Sequence, residues 1–459
     1  MALGVVFSQR LGTATFVAGL LLGAHQTARA QNSPATSERG ADLLRIAEDR
    51  LALHGQVTLV WQGHGRFRSP YQGPNSLAPS TQARETLDAT LYLGTRTWSG
   101  AEVWINPEID QGFGLSDTLG VAGFPSGEAY KVGRAYPYLR LQRAFVRQTI
   151  DLGGARQTLD AGLNQFSGSR SADRVVVTFG KFSVGDVFDT NAYAHDPRAD
   201  FLNWTIIDAG SFDYAADAWG YSAGTAVEWY QGAWAARLGA FVLSDVPNST
   251  QLDTRFEQFQ LVGELEERHT LGARPGKLRL TGYLSRARMA KLDDASALAV
   301  ATGQPADAAL VRRYAGRPGA SVNLEQEVTG DLGVFARAGW ADGRYEAYEF
   351  TDVDRSVSAG LSLSGARFGR AGDRVGLAGV VNMPSAARER FLNAGGLGIL
   401  VGDGRLPHPG AEWIVESYYD WAVRAGVHLA FDYQHVTHPA YNRDRGPVDV
   451  VGLRLHAEY

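Results

Sequence analysis

The residues of this 459-residue chain best placed to do chemistry are arginines spaced along one alternating segment, 138–150. There Leu139 and Leu141 set a period-two register that would put Arg143 and Arg147 on the leucine face. On a lipid-facing strand each guanidinium would cost roughly 2–4 kcal/mol near the bilayer midplane. A one-residue bulge at Gln142-Arg143 removes the conflict. Leu139, Leu141, Ala144, Val146 and Ile150 then share one face, and Arg140, Arg143 and Arg147 share the other. Three planar forks that never deprotonate form a track of donors for hydroxyls or anions. The same three could instead pair with acids such as Glu102, Glu264 or Glu325 and brace a wall.

Two long connections hold the other candidates. The first, 108–137, follows Glu102, Trp104 and Asn106 and begins Glu108-Ile109-Asp110-Gln111-Gly112-Phe113-Gly114. The second, 183–217, carries Asp186, Asp189, Asn191, His195-Asp196-Pro197-Arg198 and Phe201-Leu202-Asn203-Trp204. Loops beyond about 15 residues in a compact domain are usually functional or disordered, so both are expected to fold inward and narrow a lumen. Acids, amides and aromatics together suit sugar recognition, since hydroxyls need paired polar partners and pyranose faces stack on rings. Taken singly, each is first a loop-folding residue.

Other chemistries find little support. The glycine stretches Gly395-Gly396-Leu397-Gly398 and Gly402-Asp403-Gly404 lack phosphate-loop spacing, and neither HExxH nor an EF-hand pattern occurs. Asp186 and Asp189 supply too few oxygens at fixed positions for calcium, and no nucleophile elbow singles out a serine. No enzyme, metal or cofactor is therefore expected. The chain has no cysteine, which excludes a disulfide framework and a cysteine lipid anchor. Leaving out Arg10 and Arg29 of the leader, 42 basic residues face 49 acidic ones, a net charge of −7 that excludes a global nucleic-acid footprint.

The elements that must position these residues are strands. Residues 1–30 read as a cleaved secretory signal, with Arg10, an apolar run over 11–24 and Ala28-Arg29-Ala30 before the cut. A polar tether and a short periplasmic helix over 41–53 are expected within 31–55, with the barrel domain over 56–459. From residue 56 the period becomes two: Leu87, Ala89, Leu91 and Leu93 alternate with Asp88, Thr90 and Tyr92. Beyond the leader no stretch of about 18 apolar residues occurs, so helical spans are excluded while a barrel remains allowed.

Sixteen such runs are expected, near 57–67, 86–95, 100–107, 138–150, 174–182, 218–230, 234–243 and 256–266 in the first half. The second half adds 277–286, 319–329, 331–341, 356–364, 374–382, 411–420, 427–435 and 447–459. Short connections alternate with long ones, as periplasmic turns and extracellular loops do, and only 151–173 breaks the pattern. The last run carries Val451, Leu453, Leu455, Ala457 and Tyr459 on one face, the pattern that outer-membrane proteins present to the barrel assembly machinery. Eight tryptophans, Trp61, Trp98, Trp104, Trp229, Trp234, Trp340, Trp413 and Trp421, lie at or near strand ends, where interfacial rings are favoured. The fold class is thus all-β, a transmembrane antiparallel barrel of about sixteen strands in the outer membrane of a Gram-negative cell.

From about Leu53 to Tyr459 the chain also resembles the carbohydrate-selective porins of Gram-negative outer membranes, the OprB type. The resemblance is most specific in Asn106 to Gly114, in Leu141-Gln142-Arg143-Ala144-Phe145-Val146-Arg147-Gln148, and from Gly180-Lys181-Phe182-Ser183 through Asp196-Pro197-Arg198 to Asn203-Trp204. It implies a sixteen-stranded barrel with an arginine-lined, partly acidic and aromatic constriction that passes small sugars by diffusion. A general or anion-preferring pore, a barrel-embedded hydrolase and a closed structural barrel remain as alternatives, and a homotrimer is one assembly open to it.

Overall fold

A computed structural model describes residues 50–459. Its first eight strands are β1 (Leu51–His64), β2 (Gln82–Arg96), β3 (Ala101–Gly112), β4 (Arg134–Leu159), β5 (Gly168–Phe182), β6 (Ser222–Gln231), β7 (Trp234–Val242) and β8 (Phe259–Leu271). The remainder are β9 (Arg274–Met289), β10 (Arg313–Thr329), β11 (Leu332–Ala341), β12 (Arg355–Ser364), β13 (Arg374–Met383), β14 (Glu412–Arg424), β15 (Val427–Thr437) and β16 (Val448–Glu458). Each pairs antiparallel with the next, and 56–64 of β1 against 450–458 of β16 closes the barrel. Closure leaves no edge strand, which hydrocarbon would not tolerate.

The two faces are chemically inverted relative to a water-soluble sheet. Leu139, Leu238 and Phe179 stand outward, the first 71% exposed, while Arg454, Gln434 and Glu416 are buried inside. On β16, Val451, Leu453 and Leu455 face out and Val450, Arg454 and His456 face in, the register expected from the alternation. All sixteen expected runs correspond one to one with these strands. The expected bulge is also present: Asn106 pairs with Arg143 but Pro107 with Leu141, leaving Gln142 unpaired. Pro107 has no N–H to give the ladder, so the break falls where a hydrogen bond is already missing.

Two expectations are corrected. The helix over 41–53 lies mostly outside the described residues, and its final positions, 51–53, are the start of β1. The exceptional connection 151–173 is largely strand: β4 and β5 run past their outer partners, which stop at Gln148 and Arg174, and join through a turn at 160–167. With that change, short turns alternate with longer connections without exception.

The longest connection packs inside the barrel. The 183–221 connection, with the one-turn helix α1 (Trp204–Ile207), buries Phe201 against wall residues Phe335 and Tyr418, and Phe212 against Tyr283. Helices α2 (Leu292–Thr302) and α3 (Ala386–Asn393) pack on each other among the longer connections.

Candidate functional site

Arg198 is the hub of the lumen. It projects from the inserted 183–221 connection toward the β2–β3 wall, with Nε 3.3 Å from Asp88 and 3.4 Å from Glu128, and Nη2 3.6 Å from Glu108. Gln142, turned inward by the bulge, donates to Glu108 at 3.0 Å and Asp110 at 3.4 Å. The Asp196 carboxylate accepts the Arg198 backbone N–H at 2.9 Å. Although burial opposes its charge, Arg198 holds that carboxyl below the usual range. Glu128 behaves oppositely: burial pushes its carboxyl well above the usual range, and Arg198 only partly opposes this. Arg454 of β16 donates to the carbonyls of Pro197 and Asp200, both at 2.7 Å, and so fixes the turn that presents Arg198.

The three β4 arginines face inward as the bulge requires, but each is engaged. Arg140 lies 3.2 Å above the Trp219 ring and donates to Asp217 at 3.3 Å. Arg143 grips Asp186 through two bonds of 2.8 and 2.6 Å. Arg147 lies 3.8 Å from Glu102 and donates to the Asn164 carbonyl at 2.9 Å. Two of the three therefore clamp the inserted connection to the wall. Of the acids expected as partners only Glu102 is used; Glu264 and Glu325 belong instead to Arg237 at 2.6 Å and Arg279 at 3.0 Å.

The other candidates separate by role. Asp189 (φ +55°) accepts from Asn323 at 2.7 Å and from the Ala209 N–H at 2.6 Å, fastening the insert to β10. Asn203 caps α1 by accepting the Thr205 N–H, and donates to the Gly123 carbonyl and Gln434. Trp204 stacks on Phe124, ring centroids 5.4 Å apart. Phe113 lines a separate recess with Arg84 and Gln111. Sequence reasoning missed Glu128, Gln142 as a donor, and Asp88, although the alternation had already placed Asp88 on the polar face. It also missed Asp213, whose carboxylate accepts N–H groups from Tyr348, Glu349, Phe350 and Thr351 as well as Arg317 Nη1.

Toward the short-turn end, Glu102 and the 160–167 turn line a cavity of about 860 Å³, and Trp104 and Asn106 lie behind that turn. That turn folds back into the barrel mouth: Asn164 accepts from Asn106 at 3.0 Å, and Phe166 packs on Trp104 at 5.1 Å. Trp104 in turn lies over Gly94, its cross-strand partner, where a Cβ would come within 2.5 Å of the ring. Among the described residues, no group of three or more His, Asp or Glu is arranged to hold a metal ion. Among them, too, no helix is long and apolar enough to cross a membrane.

A family model described as the carbohydrate-selective porin, OprB family, matches residues 74–459. The high-pH structure of Pseudomonas putida OprB superposes with a TM-score of 0.68 at 16% identity, covering 92% of this chain and 98% of that one. The low-pH structure of the same protein gives 0.50 at 13% identity, covering 94% and 100%. At such identities the likeness concerns the fold. No curated protein matches by sequence.

Proposed function

The chain belongs to the carbohydrate-selective porin family, channels of the Gram-negative outer membrane, and from that premise we propose that it passes small neutral sugars by diffusion, recognising them at Arg198. The observation that carries this reading is the ring of Asp88, Glu108 and Glu128 around one guanidinium, with Gln142 beside it. A hydroxyl both donates and accepts, and this cluster offers fixed donors and surplus acceptors a few ångströms apart. Arg140 and Arg143 hold the inserted connection in place through Asp217 and Asp186, and Arg147 holds the 160–167 turn. The leader 1–30 is removed on export, the strand ending at Tyr459 engages the assembly machinery, and outer-membrane lipid covers the apolar face.

Ion current through planar bilayers tests the proposal. Glucose is expected to block the open channel saturably, and Arg198→Gln to raise the half-blocking concentration roughly tenfold, the worth of one charge-assisted hydrogen bond. Open channels whose current is indifferent to glucose would leave a general diffusion pore in its place.

A further inference from the structure

The 860 Å³ cavity at the short-turn end has an uneven charge balance. Each acid on its wall has a cation: Glu102 with Arg147 at 3.8 Å, Asp151 with Arg156 at 2.7 Å, Asp186 with Arg143 at 2.6 Å, and Glu228 with Arg237 at 3.3 Å. Two of its arginines lack the reciprocal. Among the described residues, Arg170 and Arg174 form no ion pair with a carboxylate, and the Nε of each is buried without a hydrogen bond.

Arg174 is the sharper case, because it is only 4% exposed. Its guanidinium lies 3.8 Å from the Tyr230 ring centroid. Its hydrogen bonds go only to neutral oxygens, those of Ser171 at 3.2 Å, Ala172 at 3.0 Å and Gln157 at 3.5 Å. Arg170 and Arg268 are near enough for their charges to oppose that of Arg174, and the more distant Glu228, already paired with Arg237, offsets them only in part. Buried charges are ordinarily paired, since desolvation without a counter-charge is expensive. Two guanidinium groups that line one polar cavity, neither in an ion pair with a carboxylate, therefore leave a place for an anion.

We propose that this cavity is a subsite for an anionic sugar, its carboxylate or phosphate held between Arg170 and Arg174. Thr149, Asn164 and Gln165 line the same space and supply partners for ring hydroxyls, while Trp98 and Phe166 supply apolar faces. The volume exceeds what a single monosaccharide fills, so the sugar enters with part of its water. The inference rests on the reading of the chain as a sugar pore and adds a second, charged class of solute at a second depth.

Titration calorimetry on the purified mature chain in detergent tests it, with glucose, glucuronate, glucose 6-phosphate and inorganic phosphate as separate ligands. Glucuronate or glucose 6-phosphate should bind at least about tenfold more tightly than glucose, as charge-assisted recognition of an anion implies. The R170Q/R174Q double variant should erase that difference, as should Arg170→Gln alone in large part. The single variant serves if the double one fails the electrophoretic test of barrel folding. Equal affinities in wild type and variant would overturn the proposal, and inorganic phosphate binding as tightly as glucose 6-phosphate would overturn its sugar half. Absence of conductance in bilayers would instead sink the pore reading and leave these binding results standing.

Discussion

Two walls of the same lumen handle charge in opposite ways. Across β6–β10, Arg237, Arg268, Arg279 and Lys277 face Glu228, Glu264, Glu266 and Glu325 at 2.6–3.3 Å, a network in which every charge has its opposite. Across β2–β5 the balance fails locally, with Arg198 ringed by carboxylates at one depth and Arg170 and Arg174 without any at another. A saturated network has no spare donor or acceptor and serves as masonry. An unsaturated one leaves partners for a solute, which is why the chemistry is assigned to the β2–β5 side.

Breaking the saturated wall should have the largest effect. Arg237→Ala leaves Glu228, Glu264 and Glu266 facing one another, and removing one member of a buried ionic network costs about 3–5 kcal/mol. Urea unfolding in lipid vesicles would read this as a lowered midpoint. A loss below about 1 kcal/mol would mean that water already screens this wall and that the contrast between the walls is false.

The inserted connection lies between the two extremes, because its charge depends on a proton. Both nitrogens of His195 face oxygens, Asp208 at 3.1 Å and the Gly185 carbonyl at 3.1 Å. Burial works against the imidazolium, but Asp208 outweighs it and the pKa rises to about 9. A folded pKa above the unfolded value of about 6.5 stabilises the fold fully below pH 6.5 or so. That contribution, no more than ~3 kcal/mol, is lost as pH climbs through about 9. Unfolding midpoints at pH 6 and pH 10 should therefore differ more for the native chain than for His195→Gln. Parallel pH dependences would show that the imidazole is neutral throughout.

Strand number, register and the inward turn of the β4 arginines were legible because lipid on one side imposes a strict period of two on every strand that touches it. The ribbon beyond Gln148 escaped for the same reason: Ile150 to Thr158 are all exposed, with no lipid stripe to enforce alternation, and Gly153 and Gly154 interrupt it further. The site was legible by residue type but not by partner. Asp189, Asn203 and Trp204 have the chemistry of sugar contacts, yet the folded chain uses them to anchor loops. Which use wins depends on contacts such as Asp213 to 348–351, separated by well over a hundred residues and invisible to local pattern. Arg198 was recognisable, whereas Glu128 meets it only because two separate connections enter the lumen together.

Glu128 supplies the finest test of the contrast between the walls. Because burial holds its carboxyl well above the usual range against the pull of Arg198, it gives up its proton at a higher pH than an ordinary glutamate does. Glu128→Gln should then match the native chain in reversal potential at the acid end of a pH series. As pH rises the native carboxyl ionises beside Arg198, later than an ordinary glutamate, and cation preference should rise. One charge about 4 Å from a hydrated ion acts at ~1 kcal/mol, which is about fivefold in the permeability ratio. The glutamine variant should lack that rise. If it instead lowers cation preference at the acid end as much as at high pH, Glu128 is already ionised there. The acid surplus around Arg198 is then a full charge larger, and the wall is tuned to attract cations as well as to grip hydroxyls.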